Sequence, residues 1–315
     1  MSKPEILAVA RLHPFYTEAL QTLYTVHECA HEGDAASFAA LAPKIAGVAA
    51  TGESRVSAGL LAQLPNLKVV SVFGVGYDGV DTQAAIARGV PVTHTPDVLT
   101  DDVADLAIGL LLSVARQIPH ADQYIRTGRW AAGPMALGRK VSGARVGIVG
   151  LGRIGQAIAR RARAFDMSIA YTARTEKVGS GYAYHPSAKA LAAEVDFLIV
   201  ITPGGAGTRH LIDADVLSAL GPQGFLINVA RGSVVDETAL VRALQSGVIA
   251  GAALDVFENE PNVPQELSSL PNVVLTPHMA SATRQTRRAM ADLAFANMKA
   301  GLTGQRLLTP VPECR

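Results

Sequence analysis

Arg145-Val146-Gly147-Ile148-Val149-Gly150-Leu151-Gly152-Arg153-Ile154-Gly155 is the stretch on which the reading of the fold turns. Val146, Ile148 and Val149 supply a buried strand, and the three spaced glycines a turn. Ile154, Ala157, Ile158, Ala162 and Phe165 then recur at helical spacing. In such a strand–turn–helix unit, Gly150 permits the tight turn and Gly152 lets the backbone approach a pyrophosphate. Gly155 lets the helix pack close on the strand. The helix start, with Leu151, Arg153 and Ile154 beside the glycines, offers backbone N–H groups and a positive dipole end to that phosphate.

Working outward, Met167 to Tyr171 is expected to be the next strand. A ribose 2′-hydroxyl calls for Asp or Glu just past such a strand. The chain has Thr172-Ala173-Arg174-Thr175 there; Asp166 lies at the wrong end and Glu176 comes too late. Arg174 offers a guanidinium fork to a 2′-phosphate, Thr175 a hydroxyl and Lys177 a nearby charge. The missing carboxylate points to NADP, with NADPH preferred over NADH. A solvated loop arginine is the plainer alternative.

Further strands are expected at 196–202, 225–230, 250–257 and 272–276. Before the fingerprint, strands at 6–10, 48–50, 69–73 and 90–92 alternate with helices at 15–23, 58–64 and 81–88. Alternation of this kind predicts an α/β fold with parallel sheets. Thr100 is expected to cap a helix whose Val103, Leu106, Ile108, Leu110, Leu111, Leu112 and Val114 are apolar nearly all round, which predicts burial and a bridge between two domains. A closing helix over 282–300 is expected to return to the first domain.

The 315 residues suit two domains, with 49% hydrophobic residues and a net charge of +1. That balance gives no electrostatic case for nucleic acid or a membrane surface. Cys29 and Cys314 show neither metal-ligand nor disulfide spacing, so no metal is expected. Without a charged-then-apolar leader or a 20-residue apolar run, the expectation is a cytoplasmic protein.

Three polar residues stand just past predicted strand ends, where open parallel sheets bind ligands. Arg231 follows Phe225–Ala230, Glu260 follows the strand ending near Phe257, and His278 follows Val273–Pro277. An arginine can pair with a substrate carboxylate and polarise a ketone. A histidine can donate a proton as hydride arrives, and a carboxylate behind it can hold the tautomer. The set suits hydride transfer to a 2-oxo acid, although each residue taken singly also fits an ordinary loop.

Together with these segments, Asn228 to Glu237, Asp255 to Pro261 and Thr276-Pro277-His278 resemble the D-isomer-specific 2-hydroxyacid dehydrogenases. Phe73 to Asp78 and Thr95 to Asp105 match as well, so the resemblance spans essentially the whole chain. Within the family it is nearest to NADPH-dependent glyoxylate/hydroxypyruvate reductases and the related hydroxyphenylpyruvate reductases. The resemblance implies that Arg231 binds substrate, His278 is the acid/base and Glu260 its partner. Val75 and Gly76 would offer backbone N–H groups to the substrate carboxylate. Asp255 would hold the nicotinamide amide, and Thr202, Pro203, Ala230 and His278 would lie along the cofactor. Gly204 to Gly207 and Met279-Ala280-Ser281 depart from the usual family runs. Trp130 matches a family tryptophan near cofactor and dimer contact, or is a buried core residue. The implied architecture is a flavodoxin-like substrate domain (1–98 and 285–315) and a Rossmann-like NADP domain (99–284), in a homodimer. A nucleotide-sensing, corepressor-like role on the same scaffold is the rival reading.

Overall fold

The computed structural model describes residues 3–314. Two compact units emerge, Met1–Leu99 with Ser281–Arg315, and Thr100–Ala280.

In the first unit the chain alternates strictly: β1 (Glu5–Ala8), α1 (Pro14–Leu23), β2 (Thr25–Glu28), α2 (Ala35–Leu41), β3 (Ile45–Thr51), α3 (Ala58–Ala62), β4 (Val69–Phe73), α4 (Thr82–Ala87) and β5 (Val92–Thr93). The five strands pair with one another in parallel in the order β2-β1-β3-β4-β5, the flavodoxin-like arrangement. Leu7, Val48, Val70 and Val72 are fully buried in this sheet and pack with Ile45, Leu61 and Leu64. Crossover helices on both faces explain why the central strands read as unbroken apolar runs.

The second unit opens with α5 (Thr100–Arg116) and α6 (Ile118–Arg126), then runs β6 (Arg145–Val149), α7 (Arg153–Arg163), β7 (Ser168–Thr172), β8 (Ala183–Tyr184), α8 (Ala188–Ala192), β9 (Phe197–Val200), α9 (Ala214–Leu220), β10 (Phe225–Asn228), α10 (Glu237–Gln245), β11 (Gly251–Leu254), α11 (Gln265–Ser268) and β12 (Val273–Leu275). Its seven parallel strands lie in the order β12-β11-β10-β9-β6-β7-β8. The order reverses between β6 and β9, which places a switch-point crevice beyond their carboxyl ends.

Thr100 is the first residue of α5 rather than its cap. Eight α5 residues, among them Val103, Ile108, Leu110, Leu111 and Val114, are buried, and the helix packs on α7, β10, β11 and β12. Asp101 and Asp105 stay outside and pair with Arg161 of α7. The closing helix, α12 (Arg284–Thr303), is capped by Thr283 and packs on α1, β3 and β4, inside the first unit. Among the described residues, no helix is long and apolar enough to cross a membrane.

The strands end earlier than the sequence predicts. Val229, Ala230, Val256 and Phe257 are buried, but in turns beyond β10 and β11. Their burial accounts for the overestimate, because apolarity alone does not distinguish a strand end from a sequestered turn.

Candidate functional site

The glycine turn follows β6. Gly150 has φ 106° and donates its N–H to Thr172 O of the neighbouring strand at 2.9 Å. A Cβ on Gly155 would lie 2.1 Å from Gly150 O, so α7 sits directly on the turn. Gly152 is the N-cap of α7 and has no side-chain cap, and nothing lies within 4 Å of where its Cβ would stand. Leu151 is buried beneath the turn, while Gly152 and Arg153 are exposed and Ile154 half-buried. Open backbone at a helix N-terminus fits a phosphate, and a dinucleotide's pyrophosphate fits this cradle.

Beyond β7, Ala173 is half-buried and Arg174 and Thr175 are exposed. Two tyrosines shape this turn: Lys177 N–H donates to Tyr171 Oη at 2.7 Å, and Tyr184 Oη donates to Ala173 O at 3.4 Å. Across the crevice, Thr202 and Pro203 follow β9, and Thr208 Oγ1 donates to Pro203 O at 2.7 Å. The glycine-rich 204–207 segment thus closes into a short turn around that hydroxyl.

Arg231 follows β10 on a turn organised by Asn228, a buried residue. Asn228 Oδ1 accepts from Ala230 N–H, and its Nδ2 donates to Arg231 O, both at 3.0 Å. Arg231 Nη1 donates to Ala230 O at 2.8 Å, which sets the start of the guanidinium's path. Next comes Gly232, where an added Cβ would meet the Phe257 carbonyl carbon at 1.9 Å. Only glycine lets the Arg231 turn press against the turn that carries Glu260.

Glu260 spans that second turn. Its Oε1 accepts Phe257 N–H at 2.8 Å, and its Oε2 lies 2.8 Å from His278 Nδ1. An ionised carboxylate only accepts, so the proton of a neutral imidazole sits on Nδ1 and Nε2 is left as the working nitrogen. His278 itself has φ 48°, and its N–H donates to Asp255 O at 2.8 Å. Asp255 is 1% exposed and gathers the turn around His278. Its Oδ1 accepts from Thr276 Oγ1 (2.6 Å) and Met279 N–H (2.8 Å), and its Oδ2 from Ala280 N–H (2.9 Å). Burial pushes the Asp255 carboxyl above the usual range, opposed by these three donors.

Sequence reasoning did not single out Asn228 or Gly232, nor a bracket beside them. Glu258 accepts from Arg209 Nη2 at 2.8 Å and lies 3.1 Å from His210 Nε2. Its N–H donates to Glu237 at 3.3 Å. Burial, then the Glu258 charge, raises the Glu237 carboxyl, with that N–H opposing. An asparagine at a strand end, three residues before a turn carbonyl that needs a donor, is the one local signal for this support.

In the first unit, Val75 and Gly76 are half-buried on the turn after β4. His94 Nδ1 lies 2.9 Å from Val75 O, and Tyr77 packs edge-on against the His94 ring at 5.4 Å. Thr95 N–H donates to Gly74 O at 2.8 Å. His94 therefore props the turn from beneath, with its own ring buried. In the 51–55 loop, Ser54 Oγ accepts Thr51 N–H at 2.8 Å, and Arg55 is exposed.

Trp130 is not a core residue. It is 67% exposed on a short turn of helix over Arg129–Ala132, near the exposed side chains of Ile118, Ile125 and Leu137 in sequence.

Comparison with known proteins agrees with this geometry. Residues 108–280, more than half the chain, match the family model described as D-isomer specific 2-hydroxyacid dehydrogenase, NAD binding domain. A crystal structure of an NADPH-dependent glyoxylate/hydroxypyruvate reductase from Sinorhizobium meliloti, in complex with NADP and malonate, superimposes with a TM-score of 0.92. It is 50% identical and covers 99% of this chain and 98% of that one. Glyoxylate/hydroxypyruvate reductase A of Arabidopsis thaliana is 50% identical, covering 85% of each chain. Hydroxyphenylpyruvate reductase of Plectranthus scutellarioides is 51% identical, covering 86% of each.

Proposed function

We propose that this chain, which belongs to the D-isomer specific 2-hydroxyacid dehydrogenase family, is an NADPH-dependent reductase of small 2-oxo acids such as glyoxylate and hydroxypyruvate. The products are the 2-hydroxy acids glycolate and D-glycerate. The observation that carries the reading is the 2.8 Å contact between His278 Nδ1 and Glu260 Oε2. It orients a histidine beyond the strand ends of a dinucleotide fold so that Nδ1 faces the carboxylate and Nε2 is the nitrogen that carries the transferable proton once the ring is protonated.

In this reading the second unit binds cofactor and the first binds substrate. Gly150, Leu151, Gly152, Arg153, Ile154 and Gly155 receive the pyrophosphate, and Ala173, Arg174 and Thr175 receive a 2′-phosphate. Thr202, Pro203 and Ala230 border the cofactor, and Asp255 lies at its nicotinamide end. Bound NADPH supplies the hydride. Arg231 pairs with a substrate carboxylate and polarises the carbonyl, and Val75 and Gly76 offer their backbone N–H groups to a substrate carboxylate. His278 delivers its Nε2 proton to the oxygen on which charge develops, and Glu260 stabilises the imidazolium before that transfer.

The test is steady-state oxidation of NADPH and NADH against glyoxylate, hydroxypyruvate and phenylpyruvate. NADPH-dependent turnover of the two small acids is the expected result. Turnover of phenylpyruvate alone would move the substrate to the aryl class of the Plectranthus relative. Nucleotide binding without turnover would favour the sensor reading.

We assign the exposed Ile118, Ile125, Trp130 and Leu137 to a homodimer contact, because apolar side chains grouped along one segment mark an association surface. Trp130→Glu is expected to shift the protein from dimer to monomer in analytical ultracentrifugation; an unchanged mass would refute the assignment. The cytoplasm suits such an enzyme, since both cysteines are free thiols.

A further inference from the structure

We propose that the start of α12 and the turn after β1 form a subsite for the far end of a 2-oxo acid carrying a second negative charge, either a carboxylate or a phosphate. The proposal rests on the reductase reading above and names the substrate class for that same site.

The cluster lies wholly within the first unit. Phe73 ends β4, and Val75 is two residues further on, so their Cα atoms are at most about 7 Å apart. Around the Phe73 ring gather the imidazole of His13, stacked at 5.9 Å, and the guanidinium of Arg287, 5.7 Å from the ring centre. His13 in turn lies 5.0 Å from Phe15. The guanidinium of Arg288 sits 3.9 Å over the Phe15 ring and that of Arg284 at 5.9 Å. His13 comes from the β1–α1 connection, Phe15 from the first turn of α1, Phe73 from the end of β4 and the three arginines from the first turns of α12. Both β1 and β4 end on the side of the parallel sheet where ligands of such folds bind.

Arg284, Arg287 and Arg288 occupy the positive end of a 20-residue helix, where cations are disfavoured. Burial lowers the His13 pKa, Arg287 and Arg288 lower it further, and Glu18 is the acid that opposes them. Stacking on the Phe15 face orients the guanidinium groups of Arg284 and Arg288 while leaving their N–H edges available. Arg284 and Arg288 are exposed, so those edges meet an incoming anion without prior burial. A short carbon chain held by its carboxylate at Val75 and Gly76 would carry its far end toward this cluster. Glyoxylate is too short to use it.

The experiment compares kcat/KM for 2-oxoglutarate with that for 2-oxopentanoate, which has the same chain length and a neutral end. 3-Phosphohydroxypyruvate is compared with hydroxypyruvate in the same way, and these two arms separate a carboxylate from a phosphate. In the wild type at least one charged-to-neutral ratio should exceed one, and it should fall as salt rises. The double variant Arg284→Gln/Arg288→Gln should lower that ratio at least tenfold. Ratios below one in both arms, or ratios unmoved by both salt and the variant, would overturn the subsite. If glyoxylate is still reduced in that case, the reductase reading survives alone. If no 2-oxo acid is reduced, that reading falls and the subsite with it.

Discussion

Replacing Asp255 by Asn tests whether the turn that carries His278 is held by a buried charge. The carboxylate accepts three hydrogen bonds, two at Oδ1 and one at Oδ2. An amide has one acceptor oxygen. Placed at Oδ1, it keeps Thr276 and Met279, but its NH2 group then faces Ala280 N–H, donor against donor. A hydrogen bond to a charged group contributes about 1.5–3 kcal/mol, and a stranded buried donor costs about 1–3 kcal/mol more. Removing a carboxylate whose burial already disfavours its charge returns part of that sum. A net loss of about 2 kcal/mol follows. At about 2–4 °C per kcal/mol for a unit of this size, the unfolding midpoint should fall by roughly 4–8 °C. Differential scanning calorimetry at pH 7.5 reads the shift. Turnover should fall as well, because displacing a reacting group by about 1 Å costs on the order of a hundredfold. The reasoning would be refuted by a variant that melts within about 1 °C of the wild type and keeps its kcat.

Arg174→Ala is expected to weaken NADPH binding by about ten- to a hundredfold, the loss of one charge-assisted contact, and NADH binding by less than about threefold. Fluorescence titration of both nucleotides decides this, and equal losses would show that the loop after β7 does not read the 2′-phosphate. For His13 the sign follows from its lowered pKa: the unfolded chain binds the proton more tightly, so stability falls as pH drops below the ordinary histidine value of about 6.5. His13→Asn keeps an oxygen for the Phe15 N–H that His13 Nδ1 now accepts. It should flatten the stability–pH curve in urea unfolding between pH 7 and pH 5, and an unaltered slope would count against the assignment.

What was legible in the sequence followed from constraints that act locally. Gly150 and Gly155 announce a turn because no other residue fits there, and the flanking β6 residues are apolar because both faces of the sheet are covered. β2 was not legible: Thr25-Val26-His27-Glu28 lies at the sheet edge, half or fully exposed, and shows no burial pattern. β8 is two residues long, and α2, rich in alanine, buries only Phe38 and so shows no apolar stripe. Trp130 stayed open between a core and a surface position, since a large aromatic suits a core and an association surface equally, and its 67% exposure excludes the core.

Within the candidate site, the chemical groups were easier to name than the residues that set their separation. Arg231, Glu260 and His278 stand out as polar residues past strand ends, but nothing in their spacing along the chain sets a 2.8 Å contact. That distance depends on Gly232, which lets two turns meet at backbone contact, and on Asp255, which binds the turn after β12 to the end of β11. Neither needs reactive chemistry in order to act this way. In sequence, Gly232 looks like ordinary turn punctuation and Asp255 like a loop cap. Substitutions at these two positions should therefore disturb the histidine–carboxylate pair without touching either member.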